Sequence, residues 1–336
     1  MPGPAVERIA HSGASPEGTN STYVLPERGL VIDPGPPGEA SWETLTAGLA
    51  AAGLPVDRVE TVAVSHWHAD HAGGAPRLAA AADAELLLHE DDAPLVADYA
   101  AERERRLARD ARRLRGWGVP DATVSRIIDG DTPSPMPESC PVRAVADGDS
   151  VAGTEAIHTP GHTAGHLALR AEDTVFVGDA VLPTYTPNVG GSDTRVEPAL
   201  ETYLDTLADL LGRFGGEDGS EESPDACPGH GSTVDLPGRI RTIREHHDGR
   251  VRDAVAALPD TDQNPDESGR TPWAVARDLF GEMAGIHAKM GAGEAAAHLA
   301  FAADRGVAER VGETPDRYVR GLQSPESGFS LALDGH

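Results

Sequence analysis

The chain has 336 residues, of which 39% are hydrophobic and only two are cysteines. A disulfide framework is therefore not implied, and the length is ample for a main domain and a smaller second unit. The 55 acidic and 28 basic residues give a formal net charge of -27, and Lys289 is the only lysine. This balance indicates a salt-loving host, because repulsion among acidic groups is screened at about 1 M salt, where the Debye length is about 3 Å.

The hydropathy pattern predicts a cytoplasmic protein. No apolar run is long enough to cross a bilayer, and residues 1–4 do not begin a charged-then-apolar secretory leader. We therefore expect no membrane contact.

The first chemically informative segment follows a short apolar strand. Ser65–His71 reads Ser-His-Trp-His-Ala-Asp-His and places four metal-binding side chains within six residues. His66 and His68 alternate, so they can point to one side of an extended segment, whereas Asp70 and His71 follow where the chain turns. The ligands thus divide into two pairs, which predicts half of a two-metal site on a loop at a strand end.

A charged insertion comes next in the chain. Tyr99–Trp117 is dense in Arg and Glu at helical spacing and predicts a helix, and a shorter helical run continues to Ile128. Its arginines either pair with neighbouring acids on a solvated helix face or meet an anionic substrate, and the charge-paired face is the commoner case.

Three later positions offer further ligands at strand ends. His162 lies on a glycine turn, and Asp179 and His230 each follow a buried apolar run. Imidazole and carboxylate suit zinc and other first-row ions, and a set without thiolate is not the closed cysteine site of a zinc finger. The ordered series predicts an open, hydrolytic centre. Three other histidines are interpreted as packed or hydrogen-bonded side chains: His158, His166 and His298.

The last hundred residues predict helices followed by a hairpin. Helical patterns cover residues 239–258, 271–283 and 293–306. The second pattern begins with Thr-Pro, a favourable cap and first-turn pair, and the third opens with Gly-Glu and stops at a glycine. Residues 307–311 and 316–320 are expected to pair as a β-hairpin.

The ordered ligand series resembles the metallo-β-lactamase superfamily, whose signature is His-X-His-X-Asp-His with later His, Asp and His ligands. The resemblance covers residues 1 to about 235 and implies two groups of three metal ligands joined by a bridging carboxylate. The first group is His66, His68 and His162, the second is Asp70, His71 and His230, and the bridge is Asp179. Segments 20–25 and 29–35 resemble the family's opening hairpin, and Asp33 is expected to support the ligand loop.

The resemblance also implies an α+β fold, a four-layer αβ/βα sandwich with the metals at one edge of two facing sheets. We expect a catalytic domain over residues 1–237. Residues 238–336 are expected to form a helical domain that resembles the winged helix appended to certain lactamase-like hydrolases, including ones that cleave single-stranded RNA. The alternative for this domain is packing beside the active site or a dimer contact.

This chain departs from the patterns of several subfamilies, and these departures argue against antibiotic hydrolysis and redox chemistry. Zinc β-lactamases carry a cysteine ligand where this chain has Asp179, and flavodiiron oxidoreductases of the superfamily have glutamate where it has Ala69. Glyoxalase II, a thioester hydrolase, has the same ligand set, although residues 180–188 depart from its usual sequence.

We therefore predict a glyoxalase II-like, dinuclear-metal hydrolase of a small thioester or ester. Two divalent ions, Zn²⁺ first and Fe or Mn as alternatives, would share the attacking hydroxide. Asp70 would orient this nucleophile and move its proton, with Tyr185 or Asn188 as an assisting donor. The alternative is an endoribonuclease that cuts single-stranded RNA with the same centre, and a homodimer is compatible with either function.

Overall fold

A computed structural model describes residues 5–12, 18–215, 224–260 and 269–322 of the chain. Its strands are β1 (Glu7–His11), β2 (Asn20–Leu25), β3 (Leu30–Ile32), β4 (Thr61–Ala63), β5 (Glu85–His89), β6 (Arg143–Val145), β7 (Ser150–Val151), β8 (Thr154–His158), β9 (Leu167–Ala171), β10 (Thr174–Gly178), β11 (Asp225–Pro228), β12 (Ala308–Glu313) and β13 (Asp316–Arg320). Its helices are α1 (Glu39–Ala51), α2 (Ala69–Ala72), α3 (Ala75–Ala82), α4 (Ala93–Ala97), α5 (Tyr99–Gly116), α6 (Asp121–Gly130), α7 (Ala199–Phe214), α8 (Leu236–Ala256), α9 (Pro272–Phe280) and α10 (Ile286–Asp304), with 3-10 turns at Pro26–Arg28 and Val56–Arg58.

The chain divides into two compact units, each built from separated segments. The first unit consists of Met1–Arg103, Pro133–Pro187 and Asp209–Arg239, and the second of Glu104–Thr132, Asn188–Ala208 and Ile240–His336. The boundary expected between residues 237 and 238 falls inside α8, and the division into 1–237 and 238–336 stays a prediction. Within the described ranges, no helix is both long and apolar enough to span a membrane.

The first unit contains a six-stranded sheet in the order β1-β2-β3-β4-β5-β6. β1 to β3 pair antiparallel, and β3 to β6 pair parallel. Successive side chains alternate between two cores: Tyr23 and Leu25 pack toward the second sheet, whereas Val24 packs with α1 and α3. Because both faces are buried, the strands read as continuous apolar runs.

The second sheet of this unit has the order β11-β10-β9-β8-β7. Strands β7 to β10 pair antiparallel, and β10 pairs parallel with β11. Phe176 and Cys227 share one core with Tyr23 and Ile32 of the first sheet, so the two sheets face each other as predicted. Cys227 is a free cysteine that fills a buried strand position in this core.

Helices dominate the second unit. Leu114 of α5 and Val124 and Ile127 of α6 pack with Ala288 and Ala292 of α10 in one apolar cluster. Strands β12 and β13 form an antiparallel pair, which confirms the predicted hairpin.

Two helix bounds predicted from the sequence are wrong. α9 begins with the predicted cap, since Thr271 Oγ1 accepts a hydrogen bond from the Ala274 N–H, but it ends at Phe280 because Gly281 adopts a φ of 75°. α10 begins at Ile286 rather than at Gly293, which lies inside the helix. A Cβ on Gly293 would lie 2.4 Å from the Cα of Gly191, so this glycine serves close packing and not helix initiation.

Three arginines of α5 pair with acids that lie outside the helix: Arg106, Arg113 and Arg115. Arg106 binds both carboxylate oxygens of Asp131 at 2.9 and 3.0 Å, and Arg115 binds Asp121 at 2.8 Å. Asp110 is buried rather than on the solvated face. These two pairs support the charge-paired interpretation of the helix, with acids outside α5 as partners.

Candidate metal centre

The ligand loop leaves the buried strand β4 and ends in the short helix α2. His66 lies in the loop and is fully buried. His68 is the N-cap residue of α2 and is half-buried. Asp70 and His71 lie in the first turn of α2, where the chain has left the extended conformation. The four side chains therefore come from one strand end.

His66, His68 and His162 form the first triad. Nε2 of His66 lies 3.0 Å from Nδ1 of His68, and Nε2 of His162 lies 3.1 Å from the same Nδ1. The three rings are nearly perpendicular, with interplanar angles of 81°, 83° and 89°. Two nitrogens that bind one first-row ion at about 2.0–2.1 Å are themselves about 3 Å apart, so the first triad fits a common ion.

Asp70, His71 and His230 form the second triad. The Nε2 atoms of His71 and His230 are 3.2 Å apart. Oδ2 of Asp70 lies 3.6 Å from the first of these nitrogens and 3.5 Å from the second. The donor set of two imidazoles and one carboxylate is typical of a hydrolytic first-row metal site.

The carboxylate of Asp179 lies between the two triads. Its Oδ1 is 3.6 Å from Nε2 of His71, and its Oδ2 is 3.8 Å from Nε2 of His162 and 3.4 Å from Nε2 of His230. Oδ1 is buried and has no hydrogen-bond partner among the residues that the structure describes. A buried anionic oxygen without a donor is unfavourable, so this atom fits a metal ligand.

The carboxylates set the protonation of the histidines around them. Burial disfavours protonated His230, but hydrogen bonds to Asp179 and Asp70 outweigh burial and raise the pKa of His230 to about 10. The same two carboxylates hold the pKa of His71 well above its usual value against the effect of burial. Burial and the positive charge of His71 lower the pKa of His66, which stays neutral. Bound cations would take the place of the protons in the second triad.

Asp33 supports the ligand loop, as the sequence predicted. Its Oδ1 accepts the backbone N–H of Ser65 at 2.6 Å, and its Oδ2 accepts the Ser65 hydroxyl at 2.7 Å. The same Oδ2 lies 3.1 Å from Nδ1 of His71. Nδ1 therefore carries a proton toward Asp33, and Nε2 of His71 faces the centre.

His166 supports Asp179 and belongs to neither triad, in agreement with its interpretation from the sequence. The backbone N–H of Asp179 donates to Nε2 of His166 at 3.0 Å, so Nδ1 carries the proton and donates to Thr159 Oγ1 at 2.7 Å. Burial and neighbouring His162 keep the pKa of His166 well below its usual value, and the ring is neutral. His298, also predicted to be a core histidine, is fully buried, and its Nε2 lies 3.0 Å from Nδ1 of His247.

Two residues that support the centre were not predicted from the sequence. Asn20 donates from Nδ2 to the backbone O and to Oδ2 of Asp70, each at 3.1 Å. Asp92 accepts from the Trp67 N–H and from Thr163 Oγ1. Asp92 follows β5 at the same sheet edge as the ligand loop, so the rule that flagged carboxylates at strand ends could also have found it.

The two candidate proton donors lie in different surroundings. Tyr185 follows Asp179 on a loop of the first unit and is 49% exposed. Arg239 fixes this loop by donating to the carbonyl oxygens of Thr184 at 3.0 Å and Tyr185 at 2.8 Å. Asn188 belongs to the second unit, where its amide nitrogen donates to Glu294 Oε2 at 3.2 Å and its oxygen accepts backbone N–H groups.

A third group of metal-binding side chains lies on the first unit: His89, Asp91 and His158. The rings of His89 and His158 stack with centroids 3.9 Å apart and planes 8° apart. An ion lies in the plane of each imidazole that binds it, and parallel stacked planes do not meet. These rings therefore cannot share an ion in this arrangement. His158 instead donates from Nε2 to the carbonyl oxygen of Ala164 at 2.9 Å, next to the His162 turn.

The two sheets face each other, and a cluster of histidines and carboxylates lies at their edge. This arrangement is that of a metal-dependent enzyme, and comparison with known proteins identifies the family. The model of the metallo-beta-lactamase superfamily matches residues 14–234, and the chain belongs to this superfamily. A metallo-beta-lactamase family protein from Thermus thermophilus has a similar structure, with a TM-score of 0.72, 26% sequence identity and coverage of 95% of this chain and 99% of that one.

Two fungal proteins are similar in sequence. The atrochrysone carboxyl ACP thioesterase of Aspergillus fumigatus is 31% identical over 253 residues, which cover 72% of this chain and 60% of that protein. The lactamase-like protein adaB of Aspergillus niger is 29% identical over 270 residues, which cover 76% of this chain and 66% of that protein. This chain thus spans about three fifths to two thirds of the length of these relatives.

These findings confirm the predicted α+β fold and membership in a hydrolase superfamily. The fold and the histidine and aspartate clusters together indicate divalent metal ions as cofactors.

Proposed function

We propose that the protein is a dinuclear-metal hydrolase of a small thioester or related carboxylic ester. The observation that carries the proposal is the pair of triads joined by Asp179, whose buried Oδ1 lacks a hydrogen-bond partner within the described residues. We assign one ion to the first triad and one to the second, with Asp179 as the bridge. Zn²⁺ is the first candidate for both positions, and Fe and Mn are the alternatives.

Two divalent ions at these positions would supply Lewis acidity and lower the pKa of water toward about 7. Asp70 would orient the attacking water and accept its proton only in passing, handing it on to solvent or the leaving group. Burial would raise the pKa of Asp70, but His71 and a hydrogen bond from His230 lower it, so the carboxylate is ionised at neutral pH. The two hydrogen bonds from Asn20 hold this carboxylate in one orientation.

A hydrogen-bond donor near the carbonyl oxygen would stabilise the charge that develops there. Of the two candidates, Tyr185 is the better supported, because its side chain is half-exposed on the loop that follows Asp179. The amide of Asn188 is already engaged at both ends within the second unit.

The substrate class follows from the ligand set and the relatives. A centre with Asp179 rather than a thiolate ligand is of the glyoxalase II-like type, and the relative from Aspergillus fumigatus is named a thioesterase. We infer an acyl thioester as the preferred substrate. We further propose a winged-helix-like arrangement for the C-terminal helices and hairpin, and a salt-loving, cytoplasmic origin for the acidic chain.

The test is a substrate panel with metal-loaded protein at molar salt. Acyl thioesters of glutathione, pantetheine and coenzyme A are compared with a labelled single-stranded RNA. We expect thioester hydrolysis that His68→Ala and Asp179→Ala abolish and that His287→Ala, a change at an exposed histidine, leaves intact. Metal-dependent RNA cleavage without thioesterase activity would overturn the proposal in favour of the endoribonuclease.

A further inference from the structure

Asp92 is a fully buried carboxylate outside the predicted ligand set. We propose that Asp92 is the positioning residue of the first triad: it fixes the distance between the two loops that carry His66, His68 and His162, and thereby controls how tightly that half of the centre holds its ion. This inference rests on the dinuclear centre of the proposed function, and it deepens that function by assigning separate supports to the two metal positions.

The contacts of Asp92 join the two ligand loops. Oδ2 accepts the backbone N–H of Trp67 at 3.2 Å, and Trp67 stands between two ligands of the first triad. The same oxygen accepts the hydroxyl of Thr163 at 2.8 Å, the residue after His162. Oδ1 accepts the backbone N–H of Gly165 at 2.9 Å. One carboxylate therefore holds segments that lie about a hundred residues apart in the chain.

Asp92 is itself held in place. Its backbone N–H donates to the carbonyl oxygen of His89, and its own carbonyl accepts the N–H of Leu95, each at 3.0 Å. A Cβ on Gly165 would lie 2.5 Å from the backbone nitrogen of Asp92, so the His162 loop approaches as closely as a glycine permits. The spacing between the loops is thus set by a rigid contact and not by a flexible surface pair.

A carboxylate suits this position because the Trp67, Thr163 and Gly165 groups that it contacts are all donors. In an Asp92→Asn variant one carboxylate oxygen is replaced by an NH₂ group. This group would face the donors that the lost oxygen now accepts, so those hydrogen bonds would be weakened. Loss of a residue that orients metal ligands lowers metal affinity by about 10–100-fold. Asp92→Ala should reach the upper part of this range and Asp92→Asn the lower part.

The second triad has a different support, which supplies a matched control. Asn20 holds Asp70, and the backbone N–H of Ser21 donates to the carbonyl oxygen of Gly229 at 2.8 Å, next to His230. Asn20→Ala should therefore weaken the second metal position and leave the first unchanged.

The experiment is stepwise titration of metal-free protein with Co²⁺, followed by visible absorption and by elemental analysis after gel filtration. His68→Ala and His230→Ala each remove one ligand and identify which absorption belongs to which triad. We expect Asp92→Ala to weaken the first position about 10–100-fold with the second within about threefold of wild type. Asn20→Ala should give the reverse pattern. Asp91→Ala, a change at the exposed neighbouring acid, should alter neither.

Thr163→Val removes one donor to Asp92 without disturbing the turn, and it tests the same link if Asp92→Ala does not fold. Equal weakening of both positions in the Asp92 and Thr163 variants, or no weakening, would overturn the proposal. Selective weakening in a protein that hydrolyses no thioester would uphold the role of Asp92 and reject the proposed substrate. Wild-type protein that binds no Co²⁺ would reject both.

Discussion

Lys289, the only lysine of the chain, is the basic residue whose loss should destabilise the second unit most. Its Nζ lies 2.8 Å from Oδ2 of Asp110, and the two side chains are 5% and 2% exposed. Thr194 donates to the other oxygen of Asp110 at 2.7 Å, and Arg106 stands 3.4 Å away. Removing one partner of a buried ion pair costs about 3–5 kcal/mol. Because Arg106 remains near the carboxylate, we expect Lys289→Met to cost about 3 kcal/mol, the lower end of that range.

The assay is urea and thermal unfolding followed by tryptophan fluorescence, and a loss of about 3 kcal/mol corresponds to a melting temperature lowered by roughly 6–12 °C. The double change of Lys289→Met with Asp110→Leu removes both charges and should recover most of the loss. Molar salt should not rescue the single variant, because a buried pair is screened little. A single variant that loses less than about 1 kcal/mol, or a double variant no more stable than the single one, would refute the reasoning.

Four further predictions concern the metal centre, the loop that carries Tyr185 and the charged surface. Metal binding at neutral pH should release protons, since the pKa of His230 is raised to about 10 and that of His71 is also raised. Calorimetry in buffers of different ionisation enthalpy would detect the released protons. A binding heat that does not depend on the buffer would contradict the prediction. Because the pKa values of these two imidazoles are raised in the folded state, they stabilise the metal-free protein most below pH 6.5, the usual histidine pKa, and this stabilisation is lost as pH rises toward their folded pKa values. The metal-free protein should therefore melt at a lower temperature at pH 9 than at pH 6. Arg239→Ala should lower kcat/KM with metal content unchanged, because it frees the loop that carries Tyr185; an unaltered kcat/KM would remove that loop from the site. The melting temperature should rise from dilute buffer to molar KCl, and a flat or falling profile would contradict the salt-loving host.

The side chains that form the two triads and Asp179 could be predicted from the sequence because they are encoded locally. Four of them lie within Ser65–His71, and His162, Asp179 and His230 each follow a short buried strand. Parallel and antiparallel pairing brings these strand ends to one edge, so a strand-end rule finds the side chains before their partners are known. The hairpin of β12 and β13 was predictable for a similar reason, since it joins neighbours in the chain.

The bounds of α10 were not predictable in this way, because the role of a glycine depends on what packs against it. Gly293 looks like the start of a helix in the sequence, and only the approach of Gly191 to within 2.4 Å of its would-be Cβ shows why a helix interior needs glycine there. Asp110 is a similar case. Because its helix is rich in arginine, the sequence predicts that Asp110 is one of several solvated charges. In the structure Asp110 is buried and pairs with Lys289, which lies 179 residues further along the chain.

The supports of the centre depend on tertiary pairing in the same manner. Asn20 reaches Asp70 across 50 residues, and Asp92 reaches Thr163 across 71, so the sequence does not show which loop either side chain holds, even though Asp92 follows a strand end. In the proposed function the seven candidate ligands set the class of reaction, whereas we propose that these two residues set the spacing within each triad. It follows that a superfamily member with the same ligands but no carboxylate at the position of Asp92 should load its first metal position less tightly while keeping the same type of chemistry. Cobalt titration of such a relative beside this protein would test the argument, and equally tight first positions in both would contradict it.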